Sequence, residues 1–157
     1  MKKRGRWEYV GRIGGVEAAV IVAIDDGQVL LVEQYRVPLG RQCLELPAGL
    51  IGDETAGETA EVSAARELEE ETGYRPVRCT SLGTFYASPG MVSERFHLIR
   101  AEGLTKVSEG GGTADENIVV HRVPLAEIAD FIAEKRRAGA AIDVKLLTLL
   151  GPSLLGA

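Results

Sequence analysis

Glu67, Glu70 and Glu71 sit three and four residues apart, directly after Arg66 and just before Gly73. On an α-helix, positions i, i+3 and i+4 share one face. Three carboxylates are then crowded together with Arg66 as the one cation of the cluster. Like charges at this spacing repel, and a fold tolerates them most readily when something positive sits between them. Hard divalent cations such as Mg²⁺ are held by one or two carboxylates plus substrate phosphates. The residues alone therefore predict a magnesium site for a phosphorylated substrate. A solvated glutamate-rich helix with an Arg66–Glu70 i, i+4 pair would account for the charges, but not for Gly52 and Glu58 upstream of them.

These acids need a helix and a sheet to hold them. The helix is predicted over Ala60–Thr72, with Thr59 as N-cap, Glu61 at the positive helix start and Gly73 as the left-handed C-cap. Ala60, Ala64, Ala65 and Leu68 form a small-residue face suited to close packing on a sheet. Trp7–Ile13 and Val16–Ile24 read as strands, the second as a continuous apolar run typical of a buried strand. Asp25-Asp26-Gly27 signals a hairpin turn into a third strand, Gln28–Tyr35. A short strand starts at Cys43–Leu46, ahead of Pro47-Ala48-Gly49. Val77–Tyr86, Phe96–Ala101 and Asn117–Val123 read as further strands. Leu125–Arg137 reads as an amphipathic helix and Asp143–Leu150 as a last apolar one. Gly110-Gly111-Gly112 reads as a mobile loop. Strands interleaved with helices on two sides indicate an α/β sandwich.

From Gly52 the spacing runs Gly, five residues, Glu58, seven residues, Arg66, Glu67, Leu68, one residue, Glu70, Glu71, one residue, Gly73. This resembles the Nudix box, the loop–helix–loop of the Nudix hydrolases, which cleave nucleoside diphosphates linked to another moiety. Tyr74 stands where the pattern asks for an aliphatic residue, and its ring can bury equally well. The resemblance implies the Nudix fold, an α/β/α sandwich with a mixed β-sheet, formed by residues 1–157 as a single domain with its box at 52–74. It implies Mg²⁺, with Mn²⁺ an alternative, held by Glu67, Glu71 and Glu70, by the backbone carbonyl of Ala48 and by Glu116. It assigns catalysis to Glu70 or Glu116, with Arg66 orienting the glutamates. Gly52, Glu58, Leu68 and Gly73 shape the box.

Other segments resemble the ADP-ribose pyrophosphatase and nucleotide-sugar hydrolase branch. They are Gln34-Tyr35-Arg36 followed by Glu45-Leu46-Pro47-Ala48-Gly49, Pro89 within Ser88-Pro89-Gly90, Glu94, Asp115-Glu116-Asn117-Ile118 and Ile142-Asp143-Val144-Lys145. The implied reaction is hydrolysis of the diphosphate of ADP-ribose or a related nucleoside diphosphate sugar. A pyrophosphatase for nucleoside triphosphates or dinucleotides, and a nucleotide-sugar-sensing module without catalysis, are the alternatives. Arg36 is the candidate phosphate contact, because its planar fork suits phosphate oxygens. Glu94 is expected to touch the substrate or a partner subunit, and Pro89 to line the substrate site. The branch also implies a homodimer. Its members carry a longer N-terminal region, and about fifteen residues precede the first core strand here.

Composition excludes other classes. The chain has 157 residues, 45% of them hydrophobic and 26% charged, which is ordinary for a globular domain. A net charge of −5 offers no basic footprint for nucleic acid. The apolar run Ala18–Ile24 is too short for a membrane span or a secretory signal, so a cytoplasmic protein is expected. Cys43 and Cys79 have no metal-ligand spacing and are expected as reduced thiols. His97 and His121 fall in strand-like runs and are expected to be structural.

Overall fold

The computed structural model describes residues 1–11, 17–52, 57–113 and 116–155. The expected strand ends at Ile13 and Val16, and Asp115 of the acidic turn, lie outside them. β1 (Lys2–Arg4) and β2 (Trp7–Tyr9) form a separate antiparallel hairpin. β3 (Ala18–Asp25) and β4 (Gln28–Arg36) meet at Asp26-Gly27, both with positive φ as this tight turn requires. Then come β5 (Arg41–Glu45), β6 (Ala48–Leu50), α1 (Ala60–Thr72), β7 (Tyr74–Arg75), β8 (Arg78–Tyr86), β9 (Arg95–Glu102) and β10 (Thr105–Lys106). After β11 (Val119–Pro124), a 3₁₀ turn at Leu125–Glu127 leads into α2 (Ile128–Arg137). β12 (Ala141–Ile142) precedes another 3₁₀ turn, Val144–Leu146, and α3 (Leu147–Leu155). Both late helices thus begin through a tighter 3₁₀ turn, a common way for a helix to start.

The main sheet runs β12-β5-β4-β3-β9-β8, with β11 on the outer edge of β4 and β6 on β3. It is mixed: β3 lies parallel to β9 and β12 parallel to β5, while the other pairings are antiparallel. β3 and β4 pair only through Ile24–Val29 and Asp25–Gln28, then part. Beyond that point β6 takes the edge of β3 at Ala18–Val20, and β5 takes the edge of β4 at Val32–Arg36. Only Leu46-Pro47 joins these two newcomers. The opened hairpin is what creates a cleft between two half-sheets.

Alternation along β3 sends its residues to opposite faces. Ala19, Ile21 and Ala23 meet Ala64 and Leu68 of α1 together with Ile99 and Ala101 of β9. Alanines on both sides let the helix approach the sheet closely. Val20 and Val22 join Leu31, Leu44 and Leu46 under Ile128 and Ile132 of α2 and Leu150 of α3. The helices therefore cover both faces, as the expected α/β/α sandwich requires.

Candidate active site

α1 is positioned by its ends and its buried face. The Thr59 hydroxyl accepts from the Val62 amide at 3.4 Å, and Gly73 closes the helix at φ 77°. Ser63 donates to the Leu50 carbonyl at 3.1 Å, tying the helix to β6. With Leu68 fully buried, Glu67 and Glu71 turn toward the cleft and Glu70 toward its rim. Arg66 braces this face, with Nη2 3.0 Å from Glu67, Nη1 3.2 Å from Glu70 and Nε 3.5 Å from Glu58.

Two features of β6 fit these acids. The Ala48 amide donates to Glu71 Oε2 at 3.0 Å. Gly49 lies so close to Glu67 that a Cβ built there would overlap its carboxyl group. Glu71 is only 5% exposed. Burial is the main reason its pKa is pushed up to about 8. The Ala48 N–H opposes the shift, while the charges of Glu67 and Glu116 add to it. A buried carboxylate repelled by two others, held by one amide, sits where a cation would lower its energy.

The glycines at 110–112 are not the free strap expected of a glycine run. Gly111 and Gly112 donate to the carbonyls of Glu71 and Glu70 at 2.8 and 3.0 Å, capping the end of α1. A Cβ on Gly110 would collide with the backbone of Thr72 and Gly73, and all three glycines hold positive φ. Close approach and left-handed backbone, rather than freedom, require glycine here. The docked loop presents Glu116, whose Oε2 accepts from the Thr113 amide at 2.7 Å and its hydroxyl at 3.0 Å. Gly112 makes room for that carboxylate.

The opposite wall comes from the other half-sheet. Arg36 grips Glu45 through Nε and Nη2 at 2.6 and 2.9 Å, and Glu45 is 5% exposed. The expected phosphate-binding arginine is thus also one half of an ion pair. Gln34, Cys43, Asp143 and Lys145 line the same wall, while Phe96 of β9 lines the cleft from the β3 side. The cleft of about 670 Å³ gathers Arg36, Ala48, Arg66, Glu67, Glu70, Glu71, Glu94 and Glu116. Pro89 departs from expectation. It is exposed and lies outside the cleft lining, within a turn closed by the Met91 and Val92 amides on the Ser88 carbonyl at 3.0 and 2.9 Å. Proline's fixed φ suits the second position of such a turn.

A NUDIX domain model matches residues 15–145 of the chain, most of its length. The chain belongs to the Nudix family. It is 41% identical over 134 residues to the ADP-ribose pyrophosphatase of Bacillus subtilis, covering 85% of this chain and 70% of that one. It is 35% identical over 146 residues to the GDP-mannose pyrophosphatase of Cronobacter sakazakii, covering 87% and 72%. It is also 40% identical over 130 residues to the methanol dehydrogenase activator of Bacillus methanolicus, covering 82% and 68%. A solved structure of an ADP compounds hydrolase superposes with a TM-score of 0.69 at 29% identity, covering 92% of this chain and 76% of that chain.

For a Nudix chain the donor set is chemically apt, since carboxylate and carbonyl oxygens suit a hard divalent cation. Among the described residues, no three His, Cys, Asp or Glu are already drawn together as a ligand set. Arg66, the Ala48 amide and Thr113 hold the acids in the meantime. Gly52 has φ 76°, and Asp53 after it falls outside the described residues. Both histidines of this Nudix fold are in carboxylate pairs, His97 with Glu17 at 2.5 Å and His121 with Glu33 at 2.8 Å. Members of the cleft that motif reading did not single out include Gln34, Glu45, Phe96, Asp143 and Lys145. All but Phe96 lie inside segments that carry the family resemblance. No spacing marks a lone acid in a strand as the partner of an arginine nine residues away.

Proposed function

We propose that this Nudix protein, acting as one domain over residues 1–157, hydrolyses the diphosphate linkage of ADP-ribose or a related nucleoside diphosphate sugar. The products are a nucleoside monophosphate and a sugar phosphate. The carrying observation is a single cleft that sets Glu67, Glu70, Glu71 and Glu116 opposite Arg36. The resemblance to an ADP-ribose pyrophosphatase and a GDP-mannose pyrophosphatase supports the substrate class.

Glu67 and Glu71 are the principal metal ligands, with Glu70, Glu116 and the Ala48 carbonyl completing the set. Mg²⁺ or Mn²⁺ held there would neutralise charge on the phosphate oxygens and ready a water for attack. The water oxygen bonds to one phosphorus in line, the bridging P–O bond breaks, and the water's proton passes to the carboxylate of Glu116 or Glu70. Arg66 keeps Glu67 and Glu70 aimed into the cleft. Arg36 is pre-set by Glu45 to present its remaining N–H groups to a phosphate oxygen. Glu94 contacts the substrate from the loop before β9.

The protein works as a homodimer in this reading. Leu82, Phe85 and Tyr86 of β8, Met91 after it and Trp7 of the hairpin are all exposed, and apolar exposure on this scale favours a second copy. It is placed in the cytoplasm, with Cys43 and Cys79 as free thiols. Among the described residues, no helix is long and apolar enough to cross a membrane. The test is a panel of ADP-ribose, ADP-glucose, GDP-mannose, UDP-glucose, NADH and deoxynucleoside triphosphates with Mg²⁺. Preferred cleavage of a diphosphate sugar is expected. Preferred cleavage of triphosphates, or of nothing in the panel, would overturn the reading.

A further inference from the structure

Among the described residues, three cations line the cleft: Arg36, Arg66 and Lys145. Arg66 is engaged by three glutamates and Arg36 is held in a two-pronged grip by Glu45. Lys145 is different. Its side chain is mostly buried, and its Nζ donates to Asp143 Oδ2 at 2.7 Å. Among the described residues that is the hydrogen-bond acceptor found for an ammonium that carries three N–H donors. The face of Phe96 lies 5.9 Å away, and Phe96 is itself stacked on Phe85 at 6.0 Å.

The lysine is not a loose surface group. Asp143 Oδ1 accepts from the Lys145 amide at 2.7 Å and caps the 3₁₀ turn that carries it. The Asp143 amide in turn donates to the Leu44 carbonyl at 3.0 Å, and Ile142 pairs with Leu44 on β5. Leu44 adjoins Cys43, a thiol whose surroundings include the charges of Glu45, Asp143 and Arg36. Two acid–base pairs, Arg36–Glu45 and Lys145–Asp143, thus stand together on the wall that faces α1. Pairing keeps the wall neutral before substrate arrives, while the lysine ammonium keeps N–H donors beyond the one given to Asp143 that an anionic ligand can accept.

We propose that Lys145 contacts an anionic oxygen of the substrate's diphosphate from the wall opposite α1, with Asp143 as its positioning residue. This rests on the hydrolase reading above, and deepens it by giving the diphosphate a cationic contact outside the box and outside Arg36. Such a contact forms with bound substrate as well as with the transition state, so it acts more on KM than on kcat.

The experiment compares wild type, Lys145→Met, Lys145→Arg and Asp143→Asn. Each is assayed on ADP-ribose with Mg²⁺, and each is titrated calorimetrically with α,β-methylene ADP, which cannot be cleaved at the diphosphate. Lys145→Met is expected to raise KM and weaken the analogue by about tenfold or more, the range of a hydrogen bond to a charged group. kcat is expected to fall less, and Lys145→Arg to recover most of the affinity. Asp143→Asn keeps the cap and the lysine but frees its ammonium, so an intermediate loss is expected; it carries the test should Lys145→Met not fold. KM and analogue affinity within about twofold of wild type in Lys145→Met would overturn the proposal, as would a loss of thermal stability alone. Wild type that binds the analogue but cleaves no substrate would overturn the hydrolase reading while leaving Lys145 to be judged on affinity. Wild type that neither binds nor cleaves overturns both.

Discussion

The two walls of the cleft are built on opposite electrostatic plans. On the α1 side, among the described residues, Glu67, Glu70, Glu71 and Glu116 gather around Arg66, and burial pushes Glu71 up to a pKa of about 8. On the far side, among the described residues, the charges are matched, Arg36 with Glu45 and Lys145 with Asp143. An unbalanced wall is held in a state that a divalent cation relieves, whereas a balanced wall is stable by itself and can hand its donors to an anion. In the proposed reading the first wall receives the metal and the second the phosphate.

The strongest way to break that contrast is to take charge from the unbalanced wall. Glu67→Gln and Glu71→Gln keep shape and remove charge, so turnover at saturating Mg²⁺ should fall at least about 10²-fold with folding intact. Near-wild-type turnover in either folded variant would remove the residue from the metal set. Gly49→Ala leaves every charge in place but pushes Glu67 aside. A loss of about tenfold or more in kcat is expected, with little change in melting temperature, because a misplaced reacting group costs rate steeply. An active Gly49→Ala enzyme would mean that Glu67 works equally well elsewhere.

Breaking the balanced wall should register in stability as well as rate. Arg36→Ala strands the buried Glu45 carboxylate, at a cost of about 1–3 kcal/mol by denaturant unfolding, and weakens catalysis on diphosphates. The double variant Arg36→Ala with Glu45→Ala should recover stability but not activity; if it recovers both, Arg36 is purely structural. The gentlest probe is pH. Glu71 has its folded pKa raised from 4.5 to about 8, so its favourable contribution is full below about 4.5 and is lost as pH rises through about 8. In chelator, the melting temperature of wild type should drop between about pH 6 and pH 9 more than that of Glu71→Gln, and Mg²⁺ should narrow the gap. Parallel curves for the two proteins would show that Glu71 is not the strained group.

The box helix was legible to the residue because its signals are local: Thr59 and Gly73 each act within one turn of the chain. The cleft was legible in its acids but not in its shape. The parallel pairing of β3 with β9 and the parting of β3 from β4 depend on residues far apart in sequence, and no local pattern encodes them. Glu45 looked like any strand acid, since its role exists only once β5 lies beside β4 and brings it to Arg36. Gly110–Gly112 reads as a mobile loop because a glycine run has the same composition whether it grants freedom or permits contact. The docked backbone, with its amides on the Glu70 and Glu71 carbonyls, shows contact.

The link between the half-sheets has a consequence for what the cleft can admit. Leu46-Pro47 is all that separates the strand bearing Glu45 from the strand bearing Ala48 and Gly49, and both link residues are buried. Pro47 contributes its carbonyl to the Ile21 amide at 2.8 Å, which pins the span to β3. The link therefore works as a gauge: a span of two residues sets how far apart the two jaws stand where it joins them. In the proposed reading, tolerance for different sugars or bases comes from the open ends of the groove, where Glu94 and Glu116 stand on loops, while the diphosphate spans the tied middle.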